Sequence, residues 1–403
     1  MTKYLIVGSL FILALITYVD RAAIASAKDE MAVELSLSNQ SMGAVFSAFA
    51  LGYALAQIPA GWLVDRVGPR LMLAGAVCLW SLFTFLTGVV SSLGVMLTVR
   101  FLFGVFEAGA FPASARVFYN WLPSSERGRA NGIIFSGSRL GAAFAFPLMT
   151  WLLANWNWRT SFYLLAIPGM MWSVAWILWF RDEPPVPPHR EDPGGWGDLS
   201  FARVFRSRAM LLAMSQYFAT NFVTFLCLSW MLPYLKQRYQ LQPSEAAFFA
   251  MVPLLVGAAS QWLTGFVVDR MYRSRYRNWS RRLPAMVGFC LAAAGVAVIP
   301  LAQNAAVATA CFAAAAFGAE STISPSWAFC MDLAGKRSGA VTGSMNMAGN
   351  LGSFVTANVF PWLQTLTGSA TAYFELVALM SLGAAACWLG MNVPGKPLKP
   401  SKI

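Results

Sequence analysis

A ten-residue pattern, Q-x-x-x-G-x-x-V-D-R, occurs twice in this chain, each time at the end of a long apolar run. The first copy runs from Gln57 through Gly61 and Asp65 to Arg66, the second from Gln261 through Gly265 and Asp269 to Arg270, 204 residues later in a chain of 403. A repeat of that period in apolar surroundings restricts the fold to two versions of one membrane-embedded half. Two further correspondences keep the same order. Glu107 with Pro112 matches Glu320 with Pro325, and Arg139-Leu-Gly141 resembles Asn350-Leu-Gly352.

Composition agrees. Hydrophobic residues make up 58% and charged residues 11%, whereas soluble domains carry roughly a quarter charged. The six cysteines (Cys78, Cys227, Cys290, Cys311, Cys330 and Cys387) all fall inside apolar runs, which suits packing rather than a disulfide framework or metal site. His189 is the single histidine and lies in a hydrophilic stretch, so proton chemistry near neutral pH falls to carboxylates. No metal, no cofactor and no catalytic constellation is expected.

Twelve apolar segments are legible, at about 4–27, 41–64, 71–91, 93–118, 130–154, 160–180, 209–235, 246–268, 283–302, 306–329, 338–365 and 370–391. Each is near or above the ~20 residues needed to cross a bilayer. Basic residues alternate in density between the loops. One side carries Lys3, Arg66, Arg70, Arg116, Arg127, Arg129 and the six arginines from Arg270 to Arg282; the other has only Lys28, Arg159, Lys236 and Arg238. This asymmetry places both termini in the cytoplasm, and the net charge of +12 is a topology signal rather than a nucleic-acid footprint. The first run contains Asp20 and Arg21 and reads as a span, not a cleaved signal.

The hydrophilic stretch 181–208, rich in proline and charge, reads as a cytoplasmic linker. It separates an N-terminal six-helix half, 1–180, from a C-terminal half, 209–391, with a short cytoplasmic tail at 392–403. The expected fold is all-α, with twelve transmembrane helices in two pseudo-symmetric halves.

Ionisable side chains inside a bilayer cost at least ~2.5–3.5 kcal/mol each on insertion scales. The first half nevertheless has Asp20 and Arg21 in span one and Arg100 and Glu107 in span four. Asp20 and Arg100 each lie roughly 10 Å from the outer ends of their spans, a depth at which the two can pair. Arg100 and Glu107 are two turns apart on nearly one face, with Gly104 between them. A structural ion-pair network would explain why these charges are tolerated. A functional reading explains why they cluster, because moving an arginine toward or away from a carboxylate switches its affinity for a proton.

Gly61-x-x-x-Asp65-Arg66-x-Gly68-x-Arg70, between spans two and three, resembles the signature loop of the major facilitator superfamily. The resemblance implies a conformational role for Gly61, Asp65, Arg66, Gly68, Arg70 and their second-copy partners Asp269 and Arg270. The sets Tyr18-Val-Asp20-Arg21-Ala22, Gly52-Tyr53-Ala54 and Arg100-Phe-x-x-Gly104-x-x-Glu107-Ala-Gly109 narrow it to the anion:cation symporter family, carriers of sugar acids, aromatic acids and other organic anions. Carried over, that resemblance implies Asp20 and Glu107 as protonation sites, Arg100 as their switching partner, Arg21 as a contact to the substrate carboxylate, and Tyr18 and Tyr53 as pocket lining.

The remaining pocket wall is expected from neutral hydrogen-bonding groups in spans seven, ten and eleven: Gln216, Tyr217, Asn221, Ser324, Ser326, Trp327, Asn346 and Asn350. The chain departs from sugar-acid carriers in span five, where Ser138 and Arg139 stand in place of a glutamine. Ser138 weakens the inference to a hexonate, and Arg139 could hold a second carboxylate. Glu320 could be a second proton site or a residue satisfied by backbone or water; Glu375 reads as interfacial. The leading expectation is a proton-coupled importer of a small organic anion in a bacterial inner membrane, working as a monomer by alternating access. A drug/proton exporter of the same fold and a non-transporting anion sensor are the alternatives.

Overall fold

The computed structural model describes residues 2–185 and 201–391; His189, most of the expected linker and the expected tail lie outside the described residues. The apolar runs form helices, as they must where no water is present to satisfy backbone N–H and C=O groups. Ten helical stretches are long and apolar enough to cross a membrane. One of these, Ala305–Thr367, carries spans ten and eleven. Span seven is assembled from shorter pieces, Arg208–Phe225, a π-helical turn Leu226–Trp230 and Met231–Tyr239. The architecture is therefore the expected all-α membrane fold of twelve spans.

Span four is likewise not one helix. It consists of Leu93–Glu107 and Ala110–Trp121, and span ten of Ala305–Ser321 and Ile323–Ala334. The cause lies in the sequence, because Pro112 and Pro325 have no N–H to return to the carbonyls of Ala108 and Ser321 four residues earlier. In each span the acid stands at the break: Glu107 is the last residue of its helix and Glu320 the last but one. Both spans begin on a side-chain cap. Ser92 accepts from the Val95 N–H, and Asn304 accepts from the Val307 N–H, an arrangement typically worth ~1 kcal/mol.

The residues group into two compact units. The first comprises Met1–Leu122, Gly137–Pro188 and Lys336–Gly343, and the second Pro123–Ser136, His189–Gly335 and Ser344–Ile403. Neither is a continuous stretch, since the head of span eleven belongs to the first unit and the head of span five to the second.

Small residues set the helix crossings inside each unit, as expected where lipid offers no hydrophobic drive and close van der Waals approach must supply the attraction. In the first unit a Cβ on Gly104 would stand 2.3 Å from the Phe49 carbonyl oxygen, and one on Gly141 would stand 2.4 Å from that of Leu15. In the second unit Gly352 meets the Phe218 carbonyl oxygen in the same way, at 2.3 Å. The repeat pairs Gly141 with Gly352, so these crossings put span one and span seven in register: Leu15 answers to Phe218, and Arg21 to Thr224.

Span two ends at Val67 because Gly68 adopts φ +89°, a conformation that other residues resist, with Pro69 opening span three. The second copy has Tyr272 at this place, and its helix, Pro243–Tyr272, includes that residue as its last.

Candidate substrate and coupling site

The four membrane charges of the first unit come together around the break in span four. Glu107 is fully buried, and Asp20 and Arg100 are each 2% exposed. Arg21 donates its Nε–H to Glu107 Oε1. The Arg21 side chain is the most accessible of the four, at 18%. Its guanidinium lies 4.3 Å from the ring centre of Tyr53, 4.9 Å from Tyr18 and 5.3 Å from Phe49, so three aromatic faces hold it by cation–π attraction.

Arg100 is placed differently from expectation. Among the described residues, Asp20 and Arg100 form no ion pair with each other; the guanidinium instead lies 4.5 Å from the ring centre of Phe103 and 5.3 Å from that of Phe49. Glu107 and Asp20 nevertheless lie near enough to Arg100 for the charges to act on one another. Asp20 Oδ2, Arg21 Nη2, Arg100 Nε and Glu107 Oε2 are all buried without a hydrogen-bond partner among the described residues. Buried polar groups are otherwise nearly always paired. The cluster thus retains acceptor capacity on two carboxylates and donor capacity on two guanidinium groups, which is what a proton and a carboxylate ligand would use.

Ser138 is buried in span five, and Arg139 is half-buried beside it. In the second unit the polar residues are largely committed to one another. Ser326 donates to Gln216 Oε1 at 3.1 Å and to the Thr322 carbonyl at 2.6 Å, while Gln216 Nε2 reaches the Ala213 carbonyl at 2.9 Å. Trp327 Nε1 donates to Tyr217 Oη at 2.8 Å. The Ser324 hydroxyl donates to the Gly128 carbonyl at 2.7 Å. Asn346 is buried, and Asn350 donates to its backbone carbonyl at 2.8 Å. A cavity of about 400 Å³ elsewhere in this unit is lined by Tyr234, Gln237, Arg238, Gln364, Ser369 and Phe374 among others, none of which the repeat singles out.

The two motif aspartates meet helix heads. Asp65 accepts from the N–H groups of Gly339 and Ala340 at 3.0 and 2.8 Å, at the start of helix Ser338–Thr367. Asp269 accepts from the N–H groups of Gly128 and Arg129 at 2.8 and 2.9 Å, at the start of helix Arg127–Asn155. Each carboxylate satisfies orphan donors and complements the positive end of a helix dipole. Gly61 and Gly265 make the approach possible, with would-be Cβ atoms 2.4 Å from the Gly339 carbonyl oxygen and 2.7 Å from that of Gly128. Arg70 anchors the loop through its N–H to Asp182 Oδ1 at 2.7 Å and its guanidinium to the Ile177 carbonyl. Arg66 stacks on Trp62 at 3.7 Å, and Arg270 is exposed. Beyond the motif, the sequence did not reveal the buried network in which Asp332 takes Arg127 at 2.6 Å and Arg281 at 3.2 Å. Its members lie far apart along the chain with no periodic signal.

A membrane fold of twelve spans built from two related halves, with paired helix-head aspartates and a cluster of buried charges within the spans, defines a secondary transporter. The chain belongs to the Major Facilitator Superfamily, whose description matches residues 10–357. It is 31% identical to the "Probable sulfoacetate transporter SauU" of Cupriavidus necator over 96% of this chain and 93% of that protein. It is 32% identical to the "Probable galactarate/D-glucarate transporter GarP" of Escherichia coli K12, over 96% and 94%, and 30% identical to the D-galactonate transporter of Escherichia coli O6:H1, over 95% and 94%. Among solved structures, the transporter FucP in the outward conformation superposes with a TM-score of 0.78 at 13% identity, covering 96% of this chain and 98% of that one. The proton:xylose symporter XylE superposes with a TM-score of 0.77 at 13% identity, covering 98% and 97%. The protein is an integral, multi-pass membrane transporter.

Proposed function

We propose that the chain imports a small organic anion, a sugar acid or a related carboxylate, together with protons. The observation that carries this reading is the Arg21–Glu107 ion pair: a partly accessible guanidinium, caged by Tyr18, Tyr53 and Phe49, neutralises a fully buried carboxylate. A substrate carboxylate competes with Glu107 for Arg21. Once displaced, Glu107 is an uncompensated buried charge, a state that costs several kcal/mol and that a proton relieves. Anion entry and proton entry are thereby linked. Asp20 serves as the second carboxyl of the cluster and Arg100 as the cation whose approach to either acid favours proton release.

The relatives' names support an organic anion with one or more acid groups and, in two of the three, a hydroxylated chain. Gln216, Ser324, Ser326, Trp327, Asn346 and Asn350 are read as partners for such hydroxyls, and Ser138 and Arg139 as determinants of which acid is accepted. The loop residues Gly61, Asp65, Arg66, Gly68, Arg70, Asp269 and Arg270 control interconversion between states open to one side of the membrane and the other. The basic-loop asymmetry supports an inner-membrane protein with both termini in the cytoplasm, functioning as a monomer in the lipid bilayer. The halves are read as 1–180 and 209–391.

Proteoliposome uptake of a panel of sugar acids, dicarboxylates and sulfonated acids tests this. An inward proton gradient is expected to concentrate one class. Arg21→Ala is expected to abolish that uptake, and Glu107→Gln to permit exchange without concentration. Uptake indifferent to pH would sink the proton-coupled reading.

A further inference from the structure

Glu320 is a buried acid that the cycle described above does not use. It is 4% exposed and stands at the break in span ten, where Glu107 stands in span four. The register set by Gly141 and Gly352 puts Thr224 at the place of Arg21, and the Thr224 hydroxyl lies 3.5 Å from Glu320 Oε1, where in the first unit Arg21 meets Glu107. The second donor is Gln261, whose Nε2 reaches Glu320 Oε2 at 2.7 Å. Gln261 is fully buried, and its own Oε1 has no hydrogen-bond partner among the described residues.

Building on the reading above, we propose that Glu320 is a further proton-carrying carboxyl, in the second unit, with Gln261 as the positioning residue that reports its protonation to span eight. A carboxamide presents donors on one side and an acceptor on the other. While Glu320 is ionised, Nε2–H bonds Oε2 and leaves Oε1 orphaned, a state that buried acceptors seldom occupy. When a proton from solution forms an O–H on Oε2, that donor has no use for Nε2–H. The amide turns, the Nε2–H···Oε2 bond breaks, and Oε2–H donates to Gln261 Oε1 instead.

Gln261 is placed to pass this on. It opens the second copy of the repeated motif, and a Cβ on Gly132 of span five would stand 2.3 Å from its carbonyl oxygen. Two turns further along the same helix, Asp269 holds the Gly128 and Arg129 N–H groups. The carboxamide is thus tied through one rigid helix to the contact between spans eight and five. The other charged side chains on the helices packed against span ten lie toward their ends: Arg208 opens its helix, Lys236 and Arg238 close theirs, Glu245 is in a first turn, Asp269 and Arg270 are in a last turn, and Arg282 opens span nine. Asp332 lies three turns along span ten itself and is paired with Arg127 and Arg281.

The test is the dependence of anion accumulation on an imposed pH gradient in proteoliposomes of the full chain. Each coupled proton contributes about tenfold accumulation per pH unit. Glu320→Gln is expected to lower that dependence by about tenfold per pH unit while leaving concentrative uptake in place. Gln261→Met, which keeps the volume and removes both amide groups, is expected to lower it equally, with no further loss in the double variant. An unchanged dependence in both single variants overturns the inference and leaves the Glu107 reading intact. No pH dependence in the wild type overturns that reading and the inference with it. Infrared difference spectra of the purified chain separate the two cases: a protonated-carboxyl band that disappears in Glu320→Gln and shifts in Gln261→Met supports the site, and its absence overturns it.

Discussion

Arg21 donates its Nε–H to Glu107 while lying 4.3 Å from the ring centre of Tyr53, so one guanidinium serves as counter-ion to a buried acid and as ligand to an aromatic cage. On the proposed function, a substrate carboxylate takes the place of Glu107 on Arg21 and leaves the aromatic cage undisturbed. Arg21→Lys therefore tests more than charge. A lysine ammonium cannot reproduce the planar guanidinium's flat stacking and bidentate recognition. Its substrate affinity is expected to fall by about 10- to 100-fold, equivalent to ~1.4–2.8 kcal/mol, measured as the concentration for half-maximal exchange.

Asp65→Asn should separate conformational from binding effects. The asparagine keeps the shape but offers one acceptor oxygen to the two N–H groups of Gly339 and Ala340 and removes the charge that complements the helix head. Charge-assisted hydrogen bonds contribute ~1.5–3 kcal/mol each. Maximal transport rate is expected to change by roughly an order of magnitude, with half-saturation shifted much less. Equal losses in both parameters would argue for a substrate contact instead.

The crossing of spans two and four should be intolerant of a single methyl group. Gly104→Ala would place carbon 2.3 Å from the Phe49 carbonyl oxygen, whereas a Cβ on Gly75 meets nothing within 4 Å. Overpacking of this kind costs ~1–3 kcal/mol, so Gly104→Ala is expected to lower the melting temperature in detergent. Gly75→Ala should leave it unchanged or slightly raised, since alanine is the better helix former.

Glu34 supplies a pH-dependent contribution to stability. Hydrogen bonds from Arg159 Nε at 2.8 Å and Trp158 Nε1 at 2.6 Å hold its carboxyl below its ordinary value of 4.5, the Arg159 bond contributing most. A lowered folded-state value means that the stabilisation is present above the unfolded-state value and disappears as pH falls through the folded one. The Glu34 side chain is 48% exposed, so solvent screening keeps the contribution under ~1 kcal/mol. Glu34→Gln should therefore melt slightly below the wild type at pH 7, and the gap should close on acidification below pH ~4.

Much of this arrangement was legible in the chain. The repeated Q-x-x-x-G-x-x-V-D-R marked two halves because both copies do the same thing locally, with a glycine for close approach and an aspartate for a helix head. Twelve apolar runs gave twelve spans, since length and hydropathy decide membrane insertion residue by residue. The breaks in spans four and ten were written in Pro112 and Pro325, although their position beside Glu107 and Glu320 emerges only once the backbone is laid out. Partner choice was not legible. Asp20 and Arg100 share a depth in the sequence reading, yet they form no ion pair among the described residues, and the Arg100 guanidinium lies against Phe49 and Phe103.

The sequence by itself determined the number of spans, the duplication and the inventory of buried charge, because these follow from local composition and from periodicity along one helix. Tertiary structure alone decided which arginine meets which carboxylate, that the Ser324 hydroxyl is directed to Gly128, and that Gln261 bridges Glu320 to the motif. Such contacts depend on the azimuth and crossing of helices distant in sequence, set by where small residues let backbones touch, and no single segment encodes that.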